Sequence, residues 1–114
     1  MTQTAGMAGG ALSGLSVLEL GRMVAAPYCA KLLADLGAEV VKVEAPGLGD
    51  PARRRGPFPD DVPHLERSAL FLYLNTSKRG VTLDLGVETG RRIFRALVGD
   101  VDILIEDRAP GELE

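Results

Sequence analysis

The sequence predicts an α/β protein whose mostly parallel sheet is flanked by helices, and three observations predict it. Leu15–Pro46 reads as strand, helix, strand. Val81–Glu106 repeats that order, and the strand segments are short runs rich in valine and leucine, as buried parallel strands are. The arrangement is Rossmann-like, without the glycine-rich turn of a dinucleotide site.

Taken in order, Ser16–Leu20 (SVLEL) is a largely buried strand with one charge. From Ala26 the apolar residues Tyr28, Cys29, Leu32, Leu33 and Leu36 fall on one helix face, and Gly37 follows as a C-terminal stop. This spacing predicts a helix burying that stripe, with Cys29 in a packing role. Glu39–Glu44 (EVVKVE) is the second strand, parallel to the first. Ala45–Leu65 holds five of the seven prolines and the run Arg53–Arg55, and predicts a long irregular loop. Glu66–Tyr73 predicts a short helix packing around Leu70, Phe71 and Leu74. Val81–Leu85 predicts a strand from its alternation. Val87–Val98 predicts a helix with an Ile93, Phe94, Leu97, Val98 stripe, and Asp102–Glu106 (DILIE) a last strand.

Length and composition bound the functions. The 114 residues suit one small domain, and 46% hydrophobic with 25% charged residues is a globular composition. With 13 basic and 16 acidic residues the net charge is −3, too mild for a nucleic-acid or anionic-membrane surface. One cysteine, Cys29, and one histidine, His64, cannot build a disulfide or a Cys/His metal site. The longest apolar run, Ala69–Leu74, is far short of the roughly 20 residues a membrane span needs. Residues 1–12 resemble no targeting signal and are expected to be a flexible leader. The cytoplasm is the expected location.

In an open parallel sheet, ligands sit beyond the carboxyl ends of the strands, so the segments after Leu20, Glu44, Leu85 and Glu106 are the candidate site. Gly21–Pro27 has one glycine where a dinucleotide turn needs three, yet Ala25 and Ala26 would let a ligand reach the helix N-terminus. The pair Lys78–Arg79 and the run Arg53–Arg55 could each meet an anion or simply be solvated. Asp107 beside Arg108 fits an ion pair as well as a site. No G-x-S-x-G elbow and no P-loop occur.

Across Leu12–Leu113 the segments LSGLSVLEL, AAPYCAKLLADLGAEVVKVE, GDPAR and NTSKRGVTLDL, with the Glu106–Gly111 turn, resemble in order and spacing the family III CoA-transferases of CaiB/BaiF type. That resemblance implies a Rossmann-like large domain, an interlocked homodimer, and coenzyme A lying along the strand ends. Carried over by position, the CoA contacts fall at Val24 and Ala25, at Ala45, at Leu83, Asp84, Leu85 and Gly86, and at Asp107, Arg108 and Ala109, with Lys78 and Arg79 matching a family Lys-Arg pair. The family more often has arginine at the position of Ala45 and Asn-Phe at Asp107–Arg108. It implies transfer of CoA between an acyl-CoA and a carboxylic acid through an aspartyl intermediate, with no metal. The matching aspartate falls beyond Glu114, so no catalytic residue is assigned. Residues 13–114 are accordingly expected to be a partial domain, truncated at the C-terminus and poorly soluble alone. An α-methylacyl-CoA racemase-like enzyme and a non-catalytic CoA-binding or interaction module are the alternatives; the insertion Gly49–Leu74 between the second strand and the Lys-Arg turn favours the transferase.

Overall fold

The computed structural model describes residues 10–113. Residues 1–9 of the expected leader lie outside them, while Leu12 N–H donates to Leu36 O (2.9 Å). The elements run β1 (Ser16–Leu20), α1 (Ala25–Asp35), β2 (Glu39–Glu44), two 3-10 turns (Pro51–Arg54 and Pro59–Asp61), α2 (Ala69–Leu74), β3 (Arg79–Thr82), α3 (Glu88–Gly99) and β4 (Ile103–Glu106). Among the described residues the four strands form one sheet in the order β3-β2-β1-β4, every pair parallel.

Two apolar clusters cover the two faces of that sheet. Val17, Val40 and Ala38 meet Ala30 and Ala34 of α1 on one side. Leu18, Leu20 and Val43 meet Phe94, Leu97 and Val98 of α3 on the other. The alternation of Val17 and Glu19 against Leu18 and Leu20 follows from the period-2 geometry of a strand. With the helices on opposite faces, the β1/β4 boundary is where the chain direction across the sheet reverses, and ligands of open α/β sheets bind at that boundary.

The structure corrects the reading of α1. Its buried face is Ala26, Ala30 and Ala34, at i, i+4 and i+8. Of the expected stripe, Leu33 packs half-buried against the Val17 and Val40 cluster, whereas Tyr28, Leu32 and Leu36 are 42%, 44% and 52% exposed and Cys29 is exposed as well. The alanine row lies beside the leucine row on the same cylinder, and methyl side chains let the helix axis approach the sheet more closely than leucines can.

Smaller shifts have local causes. Helix α2 starts at Ala69 instead of Glu66 because Ser68 caps it, its hydroxyl accepting from Phe71 N–H (3.1 Å). The β3 pairing ends at Thr82, three residues before the expected Leu85. Leu83 N–H still donates to Glu44 O (3.0 Å), after which Leu83 and Leu85 turn under α3. The 45–65 loop is anchored by Arg53, whose guanidinium grips both oxygens of Glu44 (2.8 Å each), donates to Leu65 O (3.0 Å) and stacks 3.8 Å from the Phe71 ring.

Candidate functional site

The turn after β1 is held by side chains from four directions. Glu19, on β1 and fully buried, is the register partner of Lys42 on β2. Lys42 Nζ donates to Glu19 Oε2 (2.8 Å) and Gly21 O (3.1 Å). It also forms an ion pair with Asp50 Oδ2 (2.9 Å), off the line of a hydrogen bond. Lys78 Nζ donates to Glu19 Oε1 (2.7 Å), Asn75 Oδ1 (2.6 Å) and Pro27 O (2.9 Å). An ammonium has three N–H donors, so all of those on Lys78 are engaged.

Two carboxylates complete the hold. Asp50 Oδ1 accepts from Met23 N–H (3.0 Å) and Ala52 N–H (2.9 Å). Asp107 Oδ2 accepts from Arg22 N–H (3.0 Å), which ties the end of β1 to the end of β4 across the switch point. Met23 is thereby kept at φ +64°, a left-handed conformation that costs a non-glycine residue about 1 kcal/mol or more. Gly21 has no room for a side chain: a Cβ there would come within 2.9 Å of Glu19 Oε2 and nearer still to Ala26 Cβ.

In the buried part of this network the ammonium groups of Lys42 and Lys78 balance the carboxylates of Glu19 and Asp50. Burial pushes the Asp50 carboxyl up, but the N–H groups of Met23 and Ala52 together with Lys42 outweigh it and hold it below the usual range. For Glu44 burial acts the same way, and Arg53 with the Asp50 N–H overrides it, again downward. Burial draws the Lys78 ammonium below the usual lysine range against the pull of Glu19.

Two carboxyls depressed in the folded state stabilise it fully above their ordinary pKa near 4 and lose that contribution as pH falls through the lower folded values. Urea midpoints measured from about pH 6 down to about pH 2 should therefore fall progressively. The acid limb should be shallower in Glu44→Gln. An equally steep limb in that variant would refute the assignment of this limb to Glu44.

The positions expected to touch CoA are distributed as follows. Val24 is 48% exposed at the mouth of the turn, and Ala25 opens α1, which has no side-chain cap. Ala45 is exposed beside a polar cleft of about 140 Å³ that Thr82, Leu48 and Arg53 also line. Asp84 Oδ1 accepts from Gly86 N–H (2.8 Å), closing the turn between Leu83 and Gly86. Arg108 N–H donates to Glu106 Oε2 (2.8 Å) and Ala109 N–H to Glu112 Oε1 (2.7 Å). Arg108 Nε is buried, with no hydrogen-bond partner among the described residues, beside the end of β4.

Lys78 and Arg79 are not brought together. Lys78 reaches inward to Glu19, whereas Arg79 begins β3 and pairs with Glu39 at the opposite end of the sheet. Glu19, Lys42 and Asp50 were not singled out from the sequence. One signal was there: each central strand carries a charge at its fourth position, inside its apolar run, and the two are of opposite sign.

No helix among the described residues is long and apolar enough to cross a membrane. A family model described as CoA-transferase family III matches residues 12–114. The chain is 44% identical over 105 residues to the succinyl-CoA:mesaconate CoA-transferase of Haloarcula hispanica, covering 92% of this chain and 26% of that protein. It is 47% identical over 88 residues to subunit BbsE of the succinyl-CoA:(R)-benzylsuccinate CoA-transferase of Thauera aromatica, covering 77% and 21%. A CaiB/BaiF family protein from Brucella suis has the same fold at a TM-score of 0.80 and 44% identity, covering 91% of this chain and 27% of that one. The chain thus spans about a quarter of the length of these relatives.

Proposed function

The chain belongs to the family III CoA-transferases, and we propose that it is the CoA-binding part of an enzyme that moves CoA from an acyl-CoA to a carboxylic acid. The observation that carries the reading is the clamped β1/β4 switch point. There and at the adjoining end of β2, an uncapped helix N-terminus, the small residues Ala25 and Ala45, and Arg108 Nε, which has no partner among the described residues, border one edge of a parallel sheet. Backbone N–H groups at a helix start suit a pyrophosphate, and small side chains let it approach.

In the chemistry proposed, an aspartate outside Met1–Glu114 attacks the thioester carbonyl, giving a mixed anhydride and CoA thiolate. The thiolate then attacks the aspartyl carbonyl, releasing the first acid and leaving an aspartyl-CoA thioester. The acceptor carboxylate attacks that thioester carbonyl, expelling CoA thiolate and leaving a second mixed anhydride, and the thiolate then attacks the acceptor carbonyl of that anhydride, forming the new acyl-CoA and freeing the aspartate carboxylate. This chain's own part is to bind and orient CoA. The partners under this reading are an acyl-CoA, a carboxylic acid and a second copy of the protein in the cytoplasm.

Two measurements test the reading: calorimetry of this chain with CoA, and incubation of a polypeptide that joins this chain to the segment carrying the aspartate with succinyl-CoA and a panel of acids that includes mesaconate and benzylsuccinate, followed by chromatography of the CoA thioesters. A new thioester, and micromolar CoA binding by calorimetry, are expected. A protein that binds no CoA overturns it.

A further inference from the structure

We propose that Asp50 is a positioning residue that gives the Met23–Ala25 turn its CoA-binding shape, an inference that rests on the functional reading above. The carboxylate divides its two oxygens between two tasks. Oδ1 receives the N–H groups of Met23 and Ala52, and Oδ2 faces the Lys42 ammonium. Asp50 is 2% exposed, so water does not substitute for either partner.

The consequence for the turn is specific. Met23 sits in the left-handed region, where a methionine gains nothing from its own backbone preference, so the conformation depends on what holds its N–H. Lys42 carries the same network to Gly21 O, one residue before Arg22. Asp50 lies in a separate segment, and its own N–H is fixed by Glu44 Oε2 (2.7 Å). The loop after β2 and the turn after β1 are therefore set by one buried carboxylate. Pre-shaping the turn raises affinity because the bound geometry does not have to be selected at each encounter.

Asparagine is a sharp probe here, because it has one acceptor oxygen and an NH₂ group where aspartate has two acceptors. Whichever way the amide turns, either the Met23 N–H or Lys42 faces a donor. Calorimetric titration with free coenzyme A should show Asp50→Asn about tenfold weaker than wild type. Hydrogen exchange at the Met23 and Ala52 amides should accelerate in the unliganded variant. Val17→Ala, which removes core volume on the same strand without touching the turn, should lower the thermal midpoint and leave CoA affinity within about twofold.

If Asp50→Asn does not fold, Asp50→Glu carries the test. It keeps the charge Lys42 requires and moves the carboxylate by one methylene, so weakened CoA binding with a retained fold is expected. Unchanged CoA affinity or unchanged Met23 exchange in a folded Asp50 variant overturns the proposal. Equal loss of affinity in Val17→Ala also overturns it, since the effect would then follow stability alone. Failure of wild type to bind CoA refutes the functional reading and the role with it, while the exchange measurement separately decides whether Asp50 holds the turn.

Discussion

Replacing Glu19 with alanine should destabilise the protein by about 3–5 kcal/mol, measured as a fall in urea midpoint. The loss is that large because Glu19 is fully buried and is the carboxylate shared by both lysines. Without it Lys42 keeps Asp50 and Gly21 O, and Lys78 keeps only the uncharged acceptors Asn75 and Pro27 O. A domain has about 5–15 kcal/mol of stability in all, so this one truncation removes a large share of it.

The same reasoning predicts where the loss can be recovered. If the uncompensated Lys78 charge is the main penalty, then Glu19→Ala with Lys78→Met should be more stable than the two single changes sum to, by about 1–3 kcal/mol. Additive effects would mean that lost packing, not unpaired charge, dominates. Glu19→Gln keeps the volume and should fall between wild type and alanine.

How much of this was legible in the sequence depended on range. β1 and β2 were readable to the residue because buried parallel strands are valine and leucine runs with abrupt ends. The buried face of α1 was not, because side-chain bulk favoured the row Tyr28, Leu32, Leu36 while closeness to the sheet selected Ala26, Ala30 and Ala34. Lys78 and Arg79 look like one cationic unit in sequence. Consecutive residues entering a strand point opposite ways, and that geometry sends one to Glu19 and the other to Glu39. Of the clamp, only the opposed charges of Glu19 and Lys42 were within reach, since both interrupt apolar strands. Asp50 and Lys78 join them through loop returns that no local pattern encodes. The α/β order alone was enough to put the carboxyl ends of the parallel strands along one edge, whereas what shapes that edge was not readable.

The other large effect is expected from Gly90→Ala in α3, and here two opposed contributions must be weighed. Alanine is the better helix former, by about 1 kcal/mol at an interior position. Against that, a Cβ at residue 90 would lie 2.7 Å from the Asp84 carbonyl carbon and closer still to its oxygen. Those are backbone atoms of a turn fixed by Gly86 N–H on Asp84 Oδ1, so no side chain can swing aside. Relief requires α3 to lift from the sheet, which loosens Phe94, Leu97 and Val98 over Leu18, Leu20 and Val43. Overpacking of this kind costs about 1–3 kcal/mol, so the clash wins and the variant should be less stable. Gly99, at the end of the same helix, has nothing within 4 Å of its would-be Cβ and no positive φ. Gly99→Ala should therefore be neutral or slightly stabilising. The two substitutions are chemically identical and share a helix, so opposite signs in thermal or urea midpoints isolate the approach of α3 to the Asp84 turn. If both variants move the midpoint in the same direction, helix propensity governs α3 and the close approach at Gly90 does not limit it.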